Sequence, residues 1–317
     1  MAKRKNLIFG LAVLALLLVV PLAWWMLLER PPLPPPPAAT PPPELEVPPP
    51  PPAEARVVVP EAVDVVAVSG EVLVQRGESG SWQPLGAGEQ LSTTDRIRTG
   101  KASEVRLRAA DHTVTLVPHT ELKVGELTAE LSAFLLRRGM VRASAEGPRA
   151  LRFGAAESDV QVEARQGRFD LATDGKGTVA VASTAGEVEV SARGEAVVLQ
   201  PGFETLVRKG QAPTAPAPIP AELLLRVKWP TARRTNKRAI TVEGRTRPAA
   251  LVFLDGALVE VAEDGSFSQR LPLKEGRNQV QLEGMSVGGQ AGTQRSPVIV
   301  VDTKGAKADF DTKELWE

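Results

Sequence analysis

The sequence predicts an all-β protein carried on one transmembrane helix, and three observations carry that prediction. From residue 57 onward, apolar residues alternate with period two in short valine-rich runs, as half-buried strands require. Glycines and Asp-Gly pairs punctuate those runs where hairpins need positive φ. Ahead of the strands lie 22 uncharged, overwhelmingly apolar residues at 7–28.

At a helical rise of about 1.5 Å per residue, that run reaches about 33 Å and crosses a bilayer core with slight tilt. Lys3, Arg4 and Lys5 precede it, while only Glu29 and Arg30 follow at once. The positive-inside bias makes residues 1–6 a cytoplasmic stub and puts the rest on the far side. The run exceeds a signal-peptide core, and no small-x-small cleavage site follows closely, so the expectation is an uncleaved anchor. Trp24 and Trp25, near its distal end, suit the membrane interface. Membrane lipid is thus the helix's expected partner.

Residues 29–56 read as a proline-rich linker, with proline at 14 of the 22 positions from 31 to 52. Polyproline II rises about 3.1 Å per residue, so this tract is a semi-rigid spacer of up to roughly 70 Å.

Residues 57–210 form the first β unit. Runs at 63–68, 72–75, 104–108, 113–117, 160–164, 178–182, 187–191 and 196–199 read as strands, with a turn at Asp174-Gly175. Residues 130–137 fit a strand or a helical turn equally well. A short break at 211–222, containing QAPTAPAPIP, reads as a linker. Residues 223–302 repeat the style with seven strands, at 223–228, 239–243, 251–254, 258–261, 267–271, 279–282 and 298–301. Asp255-Gly256 and Asp264-Gly265 would turn hairpins there, and seven short strands suggest an immunoglobulin-like sandwich. Residues 303–317 form a charged tail whose few apolar side chains include Phe310, Leu315 and Trp316.

Composition narrows the chemistry. The 38 basic and 38 acidic residues cancel, which gives no global field to attract nucleic acid. With no cysteine, disulfides, thiol catalysis and thiolate metal sites are excluded. There is no tyrosine, and the two histidines, His112 and His119, flank one strand too far apart to converge on an ion. They read as exposed loop residues. The expectation is a non-catalytic protein with no cofactor and no metal.

Within 63–209, several stretches in order resemble the FecR domain family. They are Val68-Ser69-Gly70-Glu71-Val72, Asp95-Arg96-Ile97-Arg98-Thr99-Gly100, Val114 to Leu116 with Pro118, Arg138-Gly139-Met140-Val141, and Leu199-Gln200-Pro201-Gly202. Asp111-His112 and Gly167-Arg168 depart from that pattern at turns. The resemblance implies a β-roll or sandwich and an envelope protein partner. In that family a cytoplasmic helical segment controls a sigma factor, and six residues before the membrane leave no room for one.

The second unit resembles bacterial immunoglobulin-like modules of the glucodextranase-associated type. Val242-Glu243-Gly244-Arg245-Thr246, Leu254-Asp255-Gly256, Asp264-Gly265-Ser266-Phe267 and Glu275-Gly276-Arg277-Asn278 carry that likeness, with Phe267 as an expected core anchor. Such modules serve as spacers or as adhesion and glycan-contact units.

The candidate contact surface is the basic cluster Arg233, Arg234, Lys237 and Arg238, with Trp229 beside it. Guanidinium forks grip phosphates and carboxylates, and an indole stacks on sugars. The bland alternative is a solvated turn whose charges discourage edge pairing. The expected protein is a periplasm-facing scaffold or binding protein of a bacterial inner membrane. The rival readings are a trans-envelope signal sensor acting with a transporter or regulator, and a binder of peptidoglycan or polysaccharide. A TonB-like energy transducer shares the anchor-and-stalk plan, but this anchor lacks a polar or histidine residue to couple to a proton channel.

Overall fold

A computed structural model describes residues 62–303 of the chain. The anchor at 7–28 with Trp24 and Trp25, the proline-rich linker and the tail beyond Thr303 lie outside the described residues. Among the described residues no helix is long and apolar enough to cross a membrane. They belong to one compact unit and are all-β, apart from a single 3₁₀ turn at Val287–Gly289.

The first lobe begins with β1 (Val63–Ser69), β2 (Val72–Gln75), β3 (Trp82–Pro84), β4 (Gln90–Leu91), β5 (Arg96–Thr99) and β6 (Glu104–Ala109). Next come β7 (His112–Leu116), β8 (Glu121–Leu127), β9 (Leu131–Ala145), β10 (Ala150–Ala155), β11 (Gln161–Ala164) and β12 (Gly167–Thr173). It closes with β13 (Val179–Gly186), β14 (Val188–Ala192), β15 (Glu195–Leu199), β16 (Phe203–Val207) and β17 (Ala217–Pro218).

Two sheets result. The front sheet has the order β4-β1-β6-β7-β9-β12-β13-β16-β17. The back sheet runs β3-β2-β5-β8-β9-β10-β11-β14-β15. Pairing is antiparallel except between β9 and β10. The valines and leucines of the alternating runs face each other between the sheets, with Leu107, Val114 and Leu171 from the front and Ile97, Leu122 and Val162 from the back all fully buried. Phe153 ties the layers together. It stacks on Phe134 at 5.3 Å and meets Phe169 of the front sheet edge-on at 5.8 Å.

β9 belongs to both sheets, and residues 130–137, ambiguous in sequence, are mostly its first half. Leu131 to Arg138 pair with β8 and β10 in the back sheet, while Gly139 to Ala145 pair with β7 and β12 in the front. The crossing falls at Gly139, whose φ is +97°. Only glycine takes that conformation cheaply, and a Cβ there would stand 2.6 Å from the Thr120 Cα.

The second lobe comprises β18 (Arg226–Lys228), β19 (Arg234–Thr235), β20 (Ala239–Arg245), β21 (Leu251–Leu254) and β22 (Ala257–Val259). It continues through β23 (Ser266–Pro272), β24 (Gly276–Asn278), β25 (Gln281–Met285), β26 (Ala291–Arg295) and β27 (Ile299–Val301). Its sheets are β18-β20-β23, β19-β27-β24 and β22-β21-β25-β26. Phe267 is buried with Val252, Leu254 and Leu282, as expected for a core anchor. The Asp255-Gly256 turn joins β21 to β22 with φ of +48° and +77°, as a two-residue hairpin of the primed kind requires.

Residues 211–222, read as a linker, are held against the first lobe. Thr214 donates its N–H to Leu206 O, Ala217–Pro218 pairs with β16, and Ile219 packs into a core shared by both lobes. Proline and alanine suit this strap because an edge strand leaves one side of its backbone unpaired. The shared core sets Met140, Ala172, Ala180 and Ala182 of the first lobe against Leu251, Phe253 and Val287 of the second. Small alanines on the outer face of β12 and β13 let the lobes approach closely, so both faces of those strands are buried.

His112 contradicts its reading as an exposed loop residue: it is fully buried, with Asp111 Oδ1 3.7 Å from its Nε2. Burial pushes its imidazole below the usual range, while Asp111 pulls upward and Arg149 reinforces the drop. A histidine whose folded pKa is depressed contributes stability above its unfolded pKa and loses it as pH falls through the folded value. Wild type is therefore expected to lose stability relative to His112→Gln between about pH 7.5 and 5 in paired urea titrations. An unchanged difference across that window would count against this account.

Candidate functional site

The structure places Arg233, Arg234, Lys237 and Arg238 together, all exposed, where the chain passes from β19 toward β20. Local bonds shape that passage. The Lys237 N–H bonds to Thr235 Oγ1, and Leu273 N–H donates to Arg238 O. The sequence reading missed Arg277. β27 lies between β19 and β24 and sets Arg234 and Arg277 on either side of Val300 in one row. Two strand spacings separate them, about 10 Å. None of these five cations forms an ion pair among the described residues, so their forks are open to an anion.

Trp229 is not a free sugar platform. It is half-buried and packs against the core of the second lobe around Leu225 and Leu282. Trp82, the other tryptophan of the described residues, is half-buried with the Arg98 guanidinium 4.4 Å above its ring.

A groove of about 1080 Å³ runs beside β18, β20 and β23. Its walls carry Lys176, Arg226 and Arg245 against Glu243, Glu260 and Glu263, and Lys176 pairs with Glu260. Mixed charge of this kind favours no single class of ligand. Among the described residues no group of three metal-ligating side chains stands together.

Polar contacts lock the seam between the lobes. The Asp170 carboxylate accepts the N–H groups of Gly288 at 2.9 Å and Gly289 at 3.2 Å. Both glycines have φ near +78°, which turns two successive N–H groups toward one anion. His119 stacks on Phe253 at 5.6 Å and has its Nε2 3.0 Å from Gly256 O. Lys101 reaches Asp255 O, and Arg247 pairs with Glu204.

Burial pushes the Asp170 carboxyl above its ordinary value of 3.8, against the opposing pull of Arg142 and the two glycine N–H groups. The folded state then holds the proton more tightly than the unfolded chain. Stability linked to this group is full below the unfolded pKa and falls as pH rises through the folded one. The stability of wild type over Asp170→Asn is thus expected to grow as pH drops from about 7 to 4. A flat or reversed difference in chemical denaturation would refute this assignment.

Residues 225–303 match the family model described as glucodextranase, domain B. The second lobe is similar to that domain. The match supports its immunoglobulin-like fold and spans well under half of the chain. The first lobe's likeness to the FecR family has no matching family model of its own.

Among solved structures, a protein described as an anti-sigma factor from Parabacteroides distasonis ATCC 8503 shares 16% identity over 39% of this chain and 59% of its own, with a TM-score of 0.33. Another of that description from the same organism shares 11% identity over 64% of this chain and 99% of its own, with a TM-score of 0.35. SGBP-B of the Bacteroides ovatus mixed-linkage glucan utilization locus, solved with a mixed-linkage heptasaccharide, shares 10% identity over 76% of this chain and 60% of its own, with a TM-score of 0.18. These scores are too low to fix fold or function. No curated protein matches the chain.

Proposed function

We propose that this is a non-catalytic binding and scaffold protein of the bacterial envelope, anchored in the inner membrane by residues 7–28 and facing the periplasm. The charge asymmetry around the apolar run supports the orientation, and the proline-rich tract supports a head held away from the bilayer. One observation carries the binding reading. The second lobe carries exposed cations at Arg233, Arg234, Lys237, Arg238 and Arg277 that form no ion pair among the described residues, on a head whose two lobes share a core. A rigid head with an open cationic end suits an envelope protein or cell-wall polymer that presents anions.

Crosslinking of the full-length protein in cells of its native host, followed by purification and mass spectrometry, tests the reading. Envelope proteins or cell-wall fragments are expected, with recovery reduced by Arg234→Gln/Arg277→Gln. Recovery of a sigma factor or a second membrane regulator would replace scaffolding with signalling.

A further inference from the structure

The outer face of the front sheet carries a second cationic surface, built from strands distant in sequence. Lobe two covers this face over β12, β13 and β16 but leaves β6, β7 and the end of β9 open. Two rows of residues cross the open part. In one, Arg106 of β6 lies opposite Thr115 of β7, which lies opposite Arg142 of β9. In the other, Arg108 leads through Thr113 and Ser144 to Arg168 of β12. Strand spacing separates Arg106 from Arg142 by about 10 Å and Arg108 from Arg168 by about 14 Å.

All four arginines are exposed. Arg108 reaches Asp64 at 3.5 Å. Arg106, Arg142 and Arg168 form no ion pair among the described residues. The remaining carboxylates sit at the border. Glu104 ends the β6 row, Glu146 takes a hydrogen bond from Ser144, and Asp170, next to Arg142, is committed to Gly288 and Gly289. Asp170 thus spends its hydrogen bonds on the seam and acts on Arg142 through charge alone.

We infer that this open face binds an acidic polysaccharide, its arginine forks taking carboxylates of successive sugars and its hydroxyl rows taking their hydroxyls. Charge complementarity selects a polyanion, and repeated arginines separated by threonine and serine fit a polymer that alternates anions with hydroxyl groups. A protein partner would want a buried apolar anchor at the centre of the face. The exposed apolar side chains near these rows, Val66 and Ala67, lie at the β1 border instead. A membrane surface would likewise want apolar side chains projecting among the charges.

The test uses the full chain in neutral-lipid nanodiscs and measures affinity for polygalacturonate, with dextran, polyglutamate and phosphatidylglycerol vesicles as competitors. Arg106→Gln/Arg142→Gln/Arg168→Gln is expected to weaken polygalacturonate binding at least tenfold and to flatten its salt dependence, with dextran inert. Arg193→Gln/Arg226→Gln/Arg270→Gln removes the same charge at exposed arginines away from both cationic surfaces and is expected to leave most of the affinity. Should the triple variant fail to fold, Arg106→Gln alone carries the test at about threefold. Equal losses in the two triple variants would reduce the effect to net charge and overturn the site. Stronger competition by polyglutamate or by vesicles than by free polygalacturonate would overturn the ligand class. Loss confined to that control variant would leave the proposed scaffold role standing and remove this surface.

Discussion

Arg247→Met is expected to destabilise the head by about 3 kcal/mol, because it leaves the Glu204 carboxylate buried without its cation. Glu204 has 8% of its side chain exposed, and its second oxygen has no hydrogen-bond partner among the described residues. Arg247 gives it one N–H and directs another to Gln290 Oε1 at 3.2 Å, and Gln290 Nε2 in turn donates to Pro220 O at 2.6 Å. Removing the arginine therefore loosens a chain of contacts as well as stranding a charge. For a body of this size the melting temperature should fall by about 6 to 12 °C. Glu204→Met in the Arg247→Met background should recover most of that loss, since a well-packed apolar pair often matches a buried ion pair. A double-mutant cycle with no coupling would show that the pair acts only as surface charge.

The second large effect is expected at the strand crossing. Gly139→Ala should cost about 3 to 5 kcal/mol, combining a left-handed backbone with a clash that no rotamer relieves. The new Cβ would stand 2.4 Å from Thr120 Oγ1 and 2.6 Å from Thr120 Cα. Thr120 cannot yield, because it is fully buried and its hydroxyl is bonded to both N–H and C=O of Met140 at 3.1 Å. Gly88 provides the control. Its φ is +84° but nothing lies within 4 Å of the site, so Gly88→Ala should cost only the conformational share, about 1 to 2 kcal/mol. Equal losses in urea unfolding would mean that backbone conformation alone governs both positions.

Much of the fold was legible because half-buried strands leave a period-two trace. The valine runs of β1, β2, β6, β7 and β14 show it plainly. β26 leaves no such trace, since AGTQR exposes alternate residues on an edge and buries none. β12 loses the alternation for the opposite reason, having both faces covered, whereas its neighbour β13 was still read at 178–182. Chain order hid their cover, the second lobe. His112 was misread although a signal existed, for it shares parity with Val114 and Leu116 and so faces the core with them. The basic run at 233–238 could be read directly because it is local. Arg277 could not, because only β27 brings it beside Arg234. The same holds for Arg106, Arg142 and Arg168, which sequence separates and strand register gathers.

The shared seam also has a consequence during synthesis. Leu206 and Ala182 are made roughly 80 to 100 residues before Val287, the last apolar residue of that core. At about 5–20 residues per second, the first lobe waits about 4 to 20 s with its alanine face uncovered. A nascent chain in that interval presents the surface on which neighbouring copies would associate. The demand for chaperones should therefore peak late in elongation and end when the second lobe closes over the first.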